Sequence, residues 1–176
     1  RIQNERPDPD EVAFLQHSSG TTGLQKGVAL AHTAVLNQLA SYSKAIALDE
    51  EDVIVSWLPL YHDMGLIAGF IMPVVQGLHL VLMSPFHWVR DPLVLLKAIH
   101  DHQGTLCWLP NFAYNFMATR IRPPMLNGIR LDSLRAVINC TTILKGRRQA
   151  LIKEFLKITR PLIQSREELS RAYAHA

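Results

Sequence analysis

The chain has 176 residues, of which 48% are hydrophobic and 19% are charged, and its formal net charge is +3. A chain of this length can bury a core of its own, and this composition excludes the disordered and fibrous classes of protein. Residues 145–171 hold eight Lys or Arg against three Glu, which we interpret as the polar face of a solvated helix rather than a nucleic-acid-binding surface. We therefore expect no nucleic-acid partner.

The cysteines and the apolar runs indicate a cytoplasmic protein without a membrane span. Cys107 and Cys140 lie in apolar, strand-like runs, where reduced and buried thiols are common, so no disulfide is expected. The longest apolar stretch, Leu66–Met83, is interrupted by proline, glycine and polar residues and is a poor candidate for a bilayer span. No signal peptide is recognisable, and the opening residue Arg1 indicates a piece of a longer protein.

The first elements flank a polar loop. Two short apolar runs, Val12–Leu15 and Val28–Ala31, predict buried strands on either side of it. Thr33 then follows as the expected N-cap of a helix that runs to Ala47. The apolar residues of this helix recur at helical spacing and form one stripe: Val35, Leu39, Tyr42 and Ile46.

Strands and helices alternate through the rest of the chain. The predicted strands are Val53–Leu58, Leu78–Met83, Thr105–Leu109 and Leu134–Cys140. The predicted helices are Met64–Gln76, buried nearly all round and capped by Gly77, Asp91–Gln103, Phe112–Ile121 and Lys145–Ile158. Asp91 is the expected N-cap of its helix and Gly104 its stop, and Ser84-Pro85 is expected to form a turn.

This alternation predicts an α/β fold with a mainly parallel sheet and flanking helices. Pro59 and Pro110 each end a predicted strand. Tyr61-His62-Asp63 and Asn111 therefore follow the carboxyl ends of two strands, where open α/β sheets bind their ligands.

The polar loop between the first two strands has the composition of a phosphate cradle. Its hydroxyls, backbone N–H groups and single ammonium are the groups that hold anionic oxygens. They are supplied by Ser18, Ser19, Gly20, Thr21, Thr22, Gly23, Lys26 and Gly27. The loop lacks the glycine and the Lys-Ser/Thr pair of a P-loop and the G-x-G-x-x-G of a dinucleotide site, so an unrelated P-loop NTPase is disfavoured.

The stretch His17–Val28 resembles the phosphate-binding signature of the adenylate-forming, or AMP-binding, superfamily. The usual form is Ser/Thr-Ser-Gly-Ser/Thr-Thr-Gly-x-Pro-Lys-Gly, in which Gln25 replaces the proline. Trp57–Gly69 and Pro110–Tyr114 are similar to two further segments of its fatty acyl-AMP ligases and long-chain acyl-CoA synthetases. The resemblance implies a fragment of the large N-terminal domain of such a ligase.

The resemblance implies a two-step reaction. A fatty or related carboxylate reacts with ATP, assisted by Mg²⁺, to give acyl-AMP and pyrophosphate, and the acyl group then passes to CoA or a phosphopantetheine carrier. The glycine-rich loop with Lys26 would bind the phosphates of ATP, and Lys26 and His62 would be the catalytic residues. The implied substrate-binding residues are Tyr61, His62, Asp63, Met64, Gly65, Pro110, Asn111 and Phe112.

Several residues leave alternatives open. His62 is either a ligand-contacting residue or a structural hydrogen-bonding residue. Trp108 either enters the acyl channel or belongs to the core, since a strand presents alternate residues to opposite faces. His100 and His102 are two residues apart on a predicted helix, which points them to different faces, and no metal ligands are assigned.

The resemblance weakens toward the end of the chain. Asn139–Leu144 occupies the place of an adenine-flanking segment, but Thr142 and Ile143 replace its usual Glu-Pro. The later ribose-binding, metal-binding and lysine-bearing segments have no counterpart. We expect residues 1–158 to be a partial AMP-binding domain, residues 159–176 to be a divergent tail, and the isolated chain to be inactive. The alternative is a degenerate relative that binds nucleotide or acyl ligands without catalysis.

Overall fold

A computed structural model describes residues 7–17, 27–139 and 159 of the chain. It divides the chain into two compact units, Arg1–Asp49 and Glu50–Ala176. Among the described residues, no helix is both long and apolar enough to cross a membrane.

The first unit is an antiparallel ribbon followed by one helix. Strand β1 (Val12–His17) pairs with β2 (Gly27–Ala31), and helix α1 (His32–Ala45) follows directly. Both predicted strands are present, but the expectation that they are buried is wrong, because Val12, Leu15 and Val28 are exposed. A two-stranded ribbon has two faces, and one helix in its unit is too little to cover them.

Thr33 is not the N-cap of α1, which was a wrong prediction. The cap position is Ala31, and the helix already includes Thr33. The Thr33 hydroxyl donates instead to the carbonyl oxygen of Pro9 at 3.0 Å, and it lies 3.1 Å from Oδ1 of Asp10. The side chain thus ties the start of α1 to the segment before β1. Val35 and Leu39 of the predicted stripe are buried.

The second unit contains a four-stranded sheet in which every strand pair is parallel, as predicted. Its strands are β3 (Val53–Ser56), β4 (His79–Leu82), β5 (Leu106–Leu109) and β6 (Ala136–Asn139). The order across the sheet is β4-β3-β5-β6. All four residues of β5, one of the two interior strands, are buried, so this strand is covered on both faces. Because every strand pair is parallel, the carboxyl ends of all four strands lie along one edge of the sheet.

The predicted helix at Met64–Gln76 consists of two parts. A π-helix at Met64–Ile71 continues into α2 (Met72–Gln76), and the N–H of Met72 donates to the carbonyl of Ile67, five residues earlier. Gly77 ends α2 with φ 71°, as predicted, because glycine adopts this left-handed conformation without steric cost. The helix is not buried all round, since Val74 and Val75 are exposed where α2 faces solvent.

In the part of the chain that the structure describes, three further α-helices connect the strands: α3 (Pro85–Arg90), α4 (Leu93–Asp101) and α5 (Asn111–Arg120). A short 3₁₀ helix, Pro123–Leu126, lies between α5 and β6. Ser84-Pro85, predicted as a turn, in fact begins α3, because proline is preorganised for the first helical position. Helix α4 begins at Leu93, and Oδ1 of Asp91 accepts a hydrogen bond from the Leu93 N–H at 3.1 Å. The predicted helix at Lys145–Ile158 lies outside the described residues.

Candidate active site

Two contacts join the carboxyl ends of β3, β5 and β6. Phe112, in the first turn of α5, packs edge-on against Trp57 with ring centroids 6.1 Å apart. Its neighbour Asn111 accepts a hydrogen bond from Nδ2 of Asn139, at the end of β6, at 2.6 Å. Residues from three of the segments singled out in the sequence therefore meet at the carboxyl edge of the sheet, where α/β folds bind ligands.

His62 and Asp63 form a polar pair between β3 and the π-helix. Nδ1 of His62 lies 2.6 Å from Oδ1 of Asp63, and the two side chains are 54% and 71% exposed. The same Asp63 oxygen accepts the N–H of Met64 at 2.8 Å and so caps the π-helix. An exposed imidazole beside a carboxylate at this edge is accessible to a ligand.

Two glycines allow the backbone next to this pair to pack closely against the end of β3. A Cβ on Gly65 would lie 2.3 Å from the carbonyl oxygen of Pro59, and one on Gly69 would lie 2.8 Å from Oγ of Ser56. Only glycine allows the π-helix to approach the end of β3 this closely. Gly65 is therefore a packing position in this helix, and its predicted role in substrate binding stays a prediction.

An aromatic cluster supports the same edge. Trp57 and Trp88 stack with ring centroids 3.7 Å apart and planes 7° from parallel. Phe112 lies edge-on to both indoles, Phe116 packs on Trp88, and the guanidinium of Arg120 lies over the Phe116 ring. Trp88 was missed by the sequence analysis. The signal that could have found it is Ser84-Pro85, a helix start that predicts α3 and places Trp88 on it.

The remaining predicted substrate residues have different surroundings. Tyr61 is 84% and Phe112 59% exposed, whereas Pro110 is the N-cap residue of α5 and turns the chain out of β5. Met64 contributes its N–H to Asp63. Tyr61, His62, Asp63 and Phe112 thus present side chains to solvent, whereas Gly65 is buried.

The predicted phosphate-binding loop is described only at its ends. His17, the last residue of β1, pairs with Gly27, the first residue of β2. The two strands are therefore paired up to both ends of the loop. Ser18, Ser19, Gly20, Thr21, Thr22, Gly23 and Lys26 lie outside the described residues, as do Cys140, Thr142 and Ile143. Their roles stay predictions.

Cys107 and Trp108 lie side by side on β5. Both are 1% exposed, as core residues are. Burial raises the pKa of the Cys107 thiol to about 12, since the apolar surroundings disfavour the thiolate. Cys107 is therefore not a nucleophile at neutral pH.

Within residues 7–17 and 27–139, no three His, Cys, Asp or Glu residues are grouped so that they could hold a metal ion. The candidate site lies at the carboxyl edge of the sheet. It contains the exposed pair His62-Asp63, the hydrogen-bonded amides of Asn111 and Asn139, and the aromatic cluster around Trp88. The fold is that of an open α/β domain, a class in which ligands bind at the carboxyl ends of the strands.

The sequence of residues 1–165 matches the family described as AMP-binding enzyme, and the chain belongs to this family. A medium-chain-fatty-acid–acyl-carrier-protein ligase of Teredinibacter turnerae is 31% identical over 131 residues, covering 74% of this chain and 20% of the relative. A long-chain-fatty-acid–AMP ligase of Mycolicibacterium smegmatis is 32% identical over 143 residues, covering 78% of this chain and 22% of that protein.

The structure of a fatty acyl-adenylate ligase from Legionella pneumophila, in complex with acyl adenylate and pyrophosphate, superposes with a TM-score of 0.83 at 32% identity. The match covers 91% of this chain and 28% of that ligase. The resemblance to fatty acyl-AMP ligases and the predicted α/β fold are confirmed. The chain spans between a fifth and three tenths of the length of these relatives.

Proposed function

We propose that the chain is part of an ATP-dependent ligase that joins a fatty acid to AMP. The observation that supports this most directly is the meeting of the motif segments at one sheet edge, through the contact of Trp57 with Phe112 and the hydrogen bond between Asn139 and Asn111. The family and its fatty acyl-AMP ligases support the same reaction class.

In the proposed reaction, a carboxylate oxygen of the fatty acid attacks the α-phosphorus of ATP. The bond to the pyrophosphate breaks, and acyl-AMP and pyrophosphate form. A thiol, of CoA or of a phosphopantetheine carrier, then displaces AMP from the acyl carbon. The carrier is supported by the Teredinibacter relative, whose name specifies an acyl-carrier protein.

The protein's task is largely electrostatic, because both substrates are anions. We assign the phosphates to the loop that carries Lys26 and the carboxylate end to His62, whose ring is exposed at the edge. The exposed face of Phe112 suits the apolar chain of the acid. Mg²⁺, when bound, would neutralise phosphate charge, and we assign it no ligand among the described residues.

Binding of an acyl-sulfamoyl adenosine, a stable mimic of acyl-AMP, tests the proposal by calorimetry on the whole chain. His62→Ala is expected to weaken binding of the mimic by about tenfold, and Lys26→Ala is expected to weaken binding of pyrophosphate, titrated separately, by about tenfold, since each removes a charge-assisted or polar contact. Lys97→Ala, on α4, is the matched control and is expected to bind like the parent chain. Absence of binding, or equal binding by all variants, contradicts the proposal.

A second experiment separates a ligase segment from a degenerate binding relative. The isolated chain is expected to release no pyrophosphate from ATP and a fatty acid. The chain is then grafted in place of the matched segment of the Legionella ligase, and acyl-AMP is measured. Formation of acyl-AMP supports the ligase assignment, whereas a folded chimera that binds the mimic but forms none favours the degenerate relative.

A further inference from the structure

Trp108 has a large buried side chain, and its neighbours determine which face of the sheet it occupies. It is 1% exposed and is the last but one residue of β5. Leu106, two residues earlier, pairs with Ile54 of the parallel strand β3. Paired residues of parallel strands present their side chains to the same face, and so do residues two apart on one strand. Trp108 therefore shares a face with Ile54 and with Ser56, the last residue of β3.

The π-helix covers this face of the sheet. A Cβ on Gly69 would lie 2.8 Å from Oγ of Ser56, so the Ser56 side chain points at the helix. Val55, the preceding residue, lies on the other face, where its side chain meets Gly104. The π-helix also contacts β5. The Trp108 indole thus lies on the face of β5 that the π-helix covers.

The indole supplies bulk that the π-helix lacks. The buried residues of this helix are Gly65, Ala68 and Gly69, which carry at most a methyl group. Ser56, which faces them from β3, is also small. Because protein interiors are close-packed, the space between helix and sheet must be filled by a larger side chain from the neighbouring strand. Trp108 lies beside Ser56 and is the largest side chain of β5.

The position of this indole matters for an acyl chain bound at the sheet edge. Under the proposed function, the carboxylate end of the acid lies at His62, two residues before the π-helix. From there an acyl chain can run outward across the exposed ring of Phe112 or inward between the π-helix and β5. Trp108 occupies the inward direction at the level where β3 ends. A close-packed indole leaves no room for an acyl chain beside it.

We propose that Trp108 is a specificity-determining residue that closes the inward path and restricts the site to acids whose acyl chains lie along the sheet edge. For the reaction itself this rests on the proposed function. What is added is the class of acid, a short or compact carboxylic acid rather than a long unbranched one. This class differs from the long-chain fatty acid in the name of the Mycolicibacterium smegmatis relative.

Calorimetry with acyl-sulfamoyl adenosines of different acyl length tests the inference on the whole chain. The parent chain is expected to bind the hexanoyl and dodecanoyl mimics with affinities within about threefold of each other, because the added methylenes stay at the surface. In Trp108→Ala these methylenes can enter the space of the indole. The dodecanoyl mimic is then expected to bind at least about tenfold tighter than the hexanoyl mimic, since each buried methylene contributes about fourfold.

Leu109→Ala is the matched control, because Leu109 is equally buried on the same strand but points to the opposite face, that of Val55. It is expected to keep the parent's response to acyl length. If Trp108→Ala does not fold, Trp108→Leu opens a smaller space and is expected to shift the preference in the same direction. An affinity that rises steadily with acyl length in the parent chain, or a folded Trp108 variant that gains nothing, overturns the inference.

Free decanoate tests the space behind Trp108 apart from adenylate binding. The folded Trp108 variant is expected to bind decanoate at least about tenfold tighter than the parent chain or Leu109→Ala, because only this variant can bury the acyl chain beneath the π-helix. If no chain binds any adenylate mimic, the proposed function fails and the decanoate titration decides. Equal decanoate binding by the parent chain and the Trp108 variant then overturns the inference.

Discussion

Arg135 holds the buried carboxylate of Asp52 at the amino-terminal edge of the sheet. Its Nε donates to Oδ1 at 3.0 Å and its Nη2 to Oδ2 at 2.5 Å, while the hydroxyl of Thr105 donates to Oδ1 at 2.6 Å. Asp52, Thr105 and Arg135 directly precede β3, β5 and β6. One carboxylate therefore fixes the relative positions of three strands whose opposite ends build the candidate site.

Replacing Arg135 by alanine is expected to destabilise the chain by about 2–3 kcal/mol, because Asp52 is only 3% exposed and would lose its partner charge. Urea unfolding followed by circular dichroism measures the change. Arg130→Ala is the control: its pair with Asp132 is more exposed, and its loss should cost less than about 1 kcal/mol. Equal effects of the two variants would contradict this account of Asp52.

Replacing a glycine of the π-helix by alanine is expected to change stability in the direction opposite to that usual for a helix. A glycine-to-alanine change inside a helix normally stabilises by up to about 1 kcal/mol. Gly65→Ala is expected instead to destabilise by about 2 kcal/mol or more, because the new methyl group meets the Pro59 carbonyl at 2.3 Å. Thermal unfolding that shows a stabilised Gly65→Ala would refute the close approach.

Gly69→Ala provides the matched case, since its contact is with a side chain. The new Cβ would lie 2.8 Å from Oγ of Ser56 and 3.4 Å from its Cβ. Adding Ser56→Ala removes the closer contact and is expected to recover part of the lost stability, whereas the same addition should not rescue Gly65→Ala. Additive effects in a double-mutant cycle would argue against this contact.

The stacked indoles predict a large effect at Trp88. Trp88 is fully buried and contacts three aromatic rings, so Trp88→Ala should destabilise by about 3–5 kcal/mol. Trp57→Phe should abolish the exciton couplet that two stacked indoles give in far-ultraviolet circular dichroism. Phe86→Ala, at an exposed aromatic on the same helix, should change stability by less than about 0.5 kcal/mol. A parent spectrum without a couplet would count against the stack.

Cys107 predicts a pH dependence at alkaline pH. Its pKa is about 12 in the folded chain against an ordinary value of 9.0, so above pH 9 the unfolded chain releases this proton while the folded chain keeps it. Stability contributed by the thiol is constant below pH 9 and falls by up to about 1.4 kcal/mol per pH unit above it. Urea unfolding of the parent chain and Cys107→Ala should diverge from pH 9 upward. If the stabilities of the parent chain and Cys107→Ala changed equally with pH above 9, the Cys107 thiol would be exposed to solvent.

The alternation of apolar runs and turn residues was enough to predict the parallel sheet, because β3, β4 and β5 read as short apolar segments bounded by glycine, proline or acidic residues. Gly77 was likewise predicted to end a helix from its own residue type, because glycine is favoured after the last turn of a helix. The carboxyl-edge position of His62 and Asn111 followed from where Pro59 and Pro110 end the strands. These features depend on neighbours in sequence, and the structure confirms them.

The features that escaped prediction depend on residues distant in sequence. Thr33 has the chemistry of an N-cap, but its hydroxyl finds Pro9 instead. The π-helix packs closely against Pro59 and Ser56 through Gly65 and Gly69, and no helical periodicity in the sequence reveals its five-residue hydrogen bonds. The stack of Trp57 on Trp88 requires α3 to return over the end of β3, so neither tryptophan alone predicts it.

The π-helix also bears on how this segment tolerates length changes. A π-helix has one residue more than an α-helix of the same span, so it behaves as a one-residue insertion absorbed without a loop. Deleting one residue between Gly65 and Ile71 would restore α-helical geometry and keep the flanking turns in register, whereas inserting a further residue would rotate one flank relative to the other by roughly 100°. Either Gly69 would leave Ser56 or the His62-Asp63 pair would turn away from the edge. A further insertion in this helix should therefore be tolerated poorly, because the residue count of the helix determines where the histidine points.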